Sequence, residues 1–105
     1  MVDILEEHKA EDIILMDVSQ QVSFTDYFVI CSGTSSRMLQ SLSEAVSEKI
    51  REEYHQHCSI QGADSAGWVL LDFGDIVVHI FSPDRRDYYQ LEDLWKEAKT
   101  LIKVH

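Results

Sequence analysis

At 105 residues, 45% of them hydrophobic, the chain has the content of one ordinary globular domain, able to bury roughly 65% of its unfolded surface without covalent or metal staples. Nineteen acidic residues against nine basic give a formal net charge of −10. That balance argues against bare or sequence-specific nucleic acid, whose binding rests on lysine and arginine neutralising phosphates, and favours a basic protein partner. No apolar run reaches the roughly 18 residues of a membrane helix. Cys31 and Cys58 form neither a disulfide framework nor a CxxC metal pair, and MVDILEEHKAED lacks the pattern of a secretory or transit signal. A cytoplasmic, membrane-free single domain over 1–105 is the expectation.

In chain order, Val2 to Ala10 reads as a short helix with Ile4 and Leu5 on its apolar side, and Asp12 to Val18 as a buried strand. Ser19 to Thr25 is polar and turn-like, and Asp26 to Ser32 is a second strand. Thr34, Ser35 and Ser36 offer N-caps for a helix to about Tyr54, whose stripe is Leu39, Leu42, Val46 and Ile50, widened by Met38 and Ala45. A short edge strand is expected near Cys58 to Gln61. Trp68 to Phe81 then forms a hairpin about Gly74-Asp75, with Phe73 opposite Ile76. Parity puts Val69, Leu71, Phe73, Ile76, Val78 and Ile80 on an apolar face. Trp68, Leu70, Asp72, Val77, His79 and Phe81 share a mixed one, which either lies under a helix or docks a partner. Ser82 and Pro83 stop the sheet, and Leu91, Leu94, Trp95, Ala98, Leu101 and Ile102 space a C-terminal helix. The order predicts an α/β fold with a single mixed β-sheet flanked by helices.

Few constellations carry chemistry. The run SGTSSR, Ser32 to Arg37, follows a strand and opens a helix, a place where N–H groups can meet an anion; it lacks the second glycine and the lysine of a P-loop. A glycine turn with a helix cap is the plainer reading. Asp72 and Asp75 have the spacing of a metal pair, but one belongs to the strand face and the other to the turn. His55, His57 and Cys58 lack a second cluster to complete a zinc site. His79 lies diagonally from Asp72 and is placed to share a hydrogen bond with it. Tyr88, Tyr89 and Trp95 form an aromatic group with little positive charge beyond Arg85 and Arg86, so packing or protein contact fits better than base stacking. No positioned nucleophile, metal site or cofactor motif emerges.

Three runs in succession, DYFVICSGTSSR (Asp26 to Arg37), GWVLLDFGDIVVHIF (Gly67 to Phe81) and RRDYYQLEDLW (Arg85 to Trp95), preceded by AEDIILMDV (Ala10 to Val18), resemble the ribosomal silencing factor, or Iojap-like, family. The departures are Gln61-Gly62 in place of the usual Glu-Gly, Met38 after the arginine, and a short N-terminal helix. The resemblance implies a non-enzymatic translation repressor that binds the large ribosomal subunit through its protein number fourteen. It would block joining of the small subunit under nutrient limitation, with a further role in large-subunit biogenesis. It also implies a fold similar to the nucleotidyltransferase type without that group's metal-binding carboxylates, no cofactor, and homodimers as one form of the protein.

On that basis the partner-binding residues are expected to be Trp68, Leu70, Asp72, Asp75, His79, Phe81, Tyr88 and Tyr89. Trp68 is the main anchor, Asp64 joins Asp72 and Asp75 in steering, and Glu92 lies at the margin. Asp26, Gly33 and Arg37, with Ser35, are expected to shape the strand–helix turn, and Gly74 the hairpin. The alternative is a nucleotidyltransferase-type enzyme using Ser32–Arg37 for nucleotide phosphates and Asp72 or Asp75 for Mg²⁺.

Overall fold

The computed structural model describes residues 1–63, 67–94 and 97–104, without the side chains of Ala63, Glu92 and Leu94. Its elements are α1 (Val2–Glu7), β1 (Glu11–Asp17), β2 (Tyr27–Ser32), α2 (Ser36–Tyr54) and β3 (Ser59–Ala63), then β4 (Trp68–Asp72), β5 (Ile76–Phe81), α3 (Pro83–Tyr89), α4 (Leu91–Leu94) and β6 (Lys99–Val104). The six strands make one sheet in the order β3-β4-β5-β2-β1-β6. Among the described strands β2 and β5 run parallel and the other pairs antiparallel, so the sheet is mixed, as the alternation of elements predicts.

The β4–β5 hairpin has the predicted register. Phe73 N–H donates to Ile76 O at 2.9 Å, and the pairs run from Asp72 opposite Val77 to Trp68 opposite Phe81. Gly74 takes a φ of +93°, a left-handed value that a two-residue hairpin connection accommodates best with glycine. Asp72 Oδ1 accepts the Gly74 N–H at 2.8 Å and braces this turn.

Period-2 alternation divides the core. One face gathers Ile13, Val29, Cys31, Val69, Leu71, Phe73, Val78 and Ile80 against Ile4 and Leu5 of α1 and the Leu39, Leu42, Val46 and Ile50 stripe of α2. Ser35 caps α2 by accepting the Met38 N–H at 3.1 Å. The other face gathers Ile14, Met16, Val18, Phe28, Ile30, Val77 and Phe81 with Leu91 and Ala98, and Trp68 and Leu70 sit half-buried at its margin. The mixed face of the hairpin is therefore largely a second core layer, roofed by α3 and α4.

The predicted C-terminal helix is replaced by the single turn of α4 and by β6. Residues 99–104 pair antiparallel with β1, Leu15 opposite Ile102 and Ile13 opposite Val104. Thr100, Ile102 and Val104 are β-branched at every second position, which suits a pleated strand, and the outer edge of β1 supplies hydrogen bonds that an isolated helix would lack. The apolar spacing from Leu91 to Ile102 is helical, and pairing with the open edge of β1 overrides it.

Candidate functional site

The second face carries a continuous series of rings. Tyr88 meets Tyr89 edge to face at 5.1 Å between centroids, Tyr89 meets Trp68 at 4.6 Å, and Trp68 stacks on Phe81 at 5.0 Å. From Trp68 the series continues to His79 at 6.0 Å, from His79 to Phe28 at 4.9 Å, and from Phe28 to Phe24 at 6.0 Å. Both ends reach solvent: Tyr88 is 70% exposed and Phe24 64%. Beside the indole lies a shallow groove of about 280 Å³ lined by Gln61, Gly62, Trp68, Leu70 and Tyr89.

Local sequence explains why the groove forms. Gly62 has a φ of +87°, and a Cβ there would stand 2.3 Å from the Trp68 carbonyl oxygen, so only glycine lets β3 approach β4 this closely. On the opposite wall α3 starts from Ser82-Pro83, proline at the first turn where its missing N–H is harmless. Arg86 fastens that helix to the sheet. Its buried guanidinium donates from Nη1 to the Asp12 carbonyl at 2.6 Å and to Ser32 Oγ at 2.9 Å. Asp12 has a φ of +48° beside a register shift in β1, a bulge that turns its carbonyl toward the arginine. With α3 held there, Tyr89 leans on Trp68.

The structure sorts the expected contact residues. Trp68, Leu70, Tyr88 and Tyr89 come together with surface to offer. Phe81 and His79 do not: Phe81 is fully buried and His79 is 5% exposed, because the face they occupy is covered by α3 and α4. They back the indole instead of touching a partner. Asp75 is exposed at the hairpin turn and Asp72 half-buried beside it, at the far end of β4 from Trp68. Asp64 and Trp95, and the side chain of Glu92, lie outside the described residues.

The hydrogen bond expected between His79 and Asp72 is absent: Asp72 turns to Gly74, and His79 Nδ1 accepts the Trp68 Nε1–H at 3.3 Å. Burial pushes the His79 pKa down to about 4 and the Cys31 thiol up to about 12, so the first is neutral and the second un-ionised at neutral pH.

Gly33, Ser35 and Arg37 stand at the strand–helix turn as expected, but Asp26 precedes β2, at the opposite end of that strand. It ties two other segments together: its N–H donates to Asp75 O at 3.1 Å and its carbonyl accepts the Val18 N–H at 2.9 Å. Around SGTSSR the Gly33 N–H is held by Phe81 O, the Thr34 N–H by Met38 Sδ, and the Met38 N–H by Ser35 Oγ. Those bonds make the loop a glycine turn followed by a helix cap, the plainer of the two sequence readings. Sequence reasoning missed Phe24, hidden in a polar segment, as well as the anchoring by Arg86 and the groove wall at Gln61-Gly62. For Phe24 the only available signal was its spacing of four from Phe28.

The whole chain, residues 1–105, matches the family model described as "Ribosomal silencing factor during starvation". It is 40% identical over 93 residues to the ribosomal silencing factor of Bacillus subtilis, covering 89% of this chain and 79% of that protein. It is 37% identical over 101 residues to the mouse "Mitochondrial assembly of ribosomal large subunit protein 1", covering 90% of this chain and 43% of that one. A crystal structure of a Chromobacterium violaceum protein superposes with a TM-score of 0.85 at 35% identity, over 99% of this chain and 87% of that one. Sequence, fold and motif order agree, and the chain belongs to the ribosomal silencing factor family.

Proposed function

We propose that the protein is a non-catalytic translation repressor. It binds the large ribosomal subunit through its protein number fourteen and keeps the small subunit from joining by occupying the space. The observation that carries this reading is the partly buried indole of Trp68, held between Phe81 and Tyr89 and bonded by His79, next to an apolar groove. A tryptophan fixed this way loses little side-chain freedom on binding, the property of an interface hot spot. The net charge of −10 complements a basic ribosomal protein and accelerates the encounter, with Asp72 and Asp75 contributing.

Blocking needs no bond made or broken. The described residues measure 33 × 32 × 23 Å, whereas packed interfaces require atoms within about 4 Å, so one bound copy separates the surfaces beneath it. A part in large-subunit assembly, named for the mouse relative, is compatible with the same docking site. The reading places the protein in the cytoplasm and makes the homodimer the second form to look for, by sedimentation equilibrium of the free protein.

The deciding experiment is sucrose-gradient sedimentation of purified subunits with and without the protein. Co-migration with the large subunit and fewer joined particles are expected, both lost in Trp68→Glu. Undiminished joining at saturating protein would overturn the steric mechanism. Migration with the small subunit would overturn the docking assignment.

A further inference from the structure

We propose that His79 is a positioning residue for the docking tryptophan: its Nδ1 accepts the indole N–H of Trp68 and sets which edge of the ring faces the partner. The direction of the bond is fixed by chemistry. Indole nitrogen only donates, so at 3.3 Å from Trp68 Nε1 the histidine Nδ1 must be unprotonated. The ring is then the neutral tautomer with its proton on Nε2.

The strand register explains the pairing. Trp68 stands opposite Phe81 and Leu70 opposite His79, which makes Trp68 and His79 diagonal neighbours, within reach for aromatic side chains. Phe81 stacks beneath the indole and Tyr89 leans against it, but ring contacts alone leave it able to slide in its plane. A directional acceptor stops that motion.

The arrangement is costly as packing. His79 is 5% exposed, and its Nε2 has no hydrogen-bond partner among the described residues, with the Phe28 ring standing nearly perpendicular at 4.9 Å. A buried donor left unsatisfied is destabilising, and leucine or phenylalanine at this position would avoid that cost. What histidine supplies, and neither of those can, is the acceptor under the indole. Desolvation keeps that acceptor unprotonated at neutral pH.

The bond itself is independent of the proposed function; its consequence for binding rests on that reading. Long-range proton–nitrogen NMR of the intact wild-type protein at pH 7 is expected to show His79 with its proton on Nε2 and Nδ1 bare. A proton on Nδ1, or an imidazolium, overturns the inference without any mutation. In His79→Leu the Trp68 indole N–H resonance, assigned with Trp95→Phe, is expected to move to an unbonded position, and large-subunit affinity to fall about fivefold, the worth of one ordinary hydrogen bond.

His79→Asn, whose amide oxygen replaces Nδ1 as acceptor, is expected to recover part of both. An unchanged indole resonance and unchanged affinity in His79→Leu overturn the positioning role. Should that variant fail to fold, the wild-type tautomer and His79→Asn decide the matter. If Trp68→Glu binds normally, the docking reading fails instead, and the NMR results still report the bond.

Discussion

On the face that carries α1 and α2, every strand in the middle of the sheet contributes aliphatic side chains, and the 19-residue α2 closes over them. On the other face aliphatic side chains share the layer with Phe28, Phe81, His79 and Trp68, and its cover is the seven-residue α3 and the single turn of α4. The long helix seals its side. The short ones leave Trp68 and Leu70 half-buried and Tyr88 exposed. A sheet with one closed face has a rigid backing for an open one, and the open face can present large rings in fixed positions because the closed one holds the strands.

Substitutions should therefore separate stability from binding according to face. The largest effect is expected from Leu71→Ala, which hollows out the sealed layer and should lower the unfolding free energy by about 2–5 kcal/mol in denaturant titration. Equal loss from Trp68→Ala would erase the distinction between the faces.

Acid should act on the aromatic side. With the His79 pKa lowered from 6.5 to about 4 by burial, the unfolded chain takes up a proton before the folded one does. The contribution is full above pH 6.5 and is lost as pH falls toward 4, on the order of 3 kcal/mol in all. Unfolding midpoints across that window should fall in wild type, and His79→Leu should lack this share of the decline; parallel curves would contradict it.

Trp68→Glu should leave the circular dichroism spectrum intact yet weaken large-subunit binding by about 2 kcal/mol or more. Loss of the folded spectrum would mark the indole as core. At the far end of the ring series, Phe24→Ser should lower affinity by about 1 kcal/mol or less. No change there would confine the docking patch to the Trp68 end. Salt has the mildest effect: raising it should slow association several-fold while leaving dissociation nearly constant, and an on-rate indifferent to salt would remove the steering role of the acidic surface.

Much of this was legible beforehand because it depends on local pattern. The α2 stripe follows from spacings of three and four, and the hairpin register follows from Gly74 and the alternation on either side. Other features were not legible. The segment Leu91 to Ile102 satisfies a helical spacing, and only the open edge of β1 selects the strand. Asp26 reads as part of the strand–helix motif next to it in sequence, yet its backbone joins the hairpin turn to the end of β1. His79 has two diagonal neighbours, Asp72 and Trp68; the braced turn occupies the first and leaves it the second.

By itself the sequence determined the sealed core, the turn positions, the acidic charge and the family, since each is written in nearest neighbours, short periods or composition. Tertiary structure decided which large rings stay uncovered. That depends on how far α3 reaches across the sheet, on the Arg86 contacts that hold it there, and on the Gly62 approach that opens a groove beside Trp68. These are contacts between residues far apart in the chain, and no local period records them.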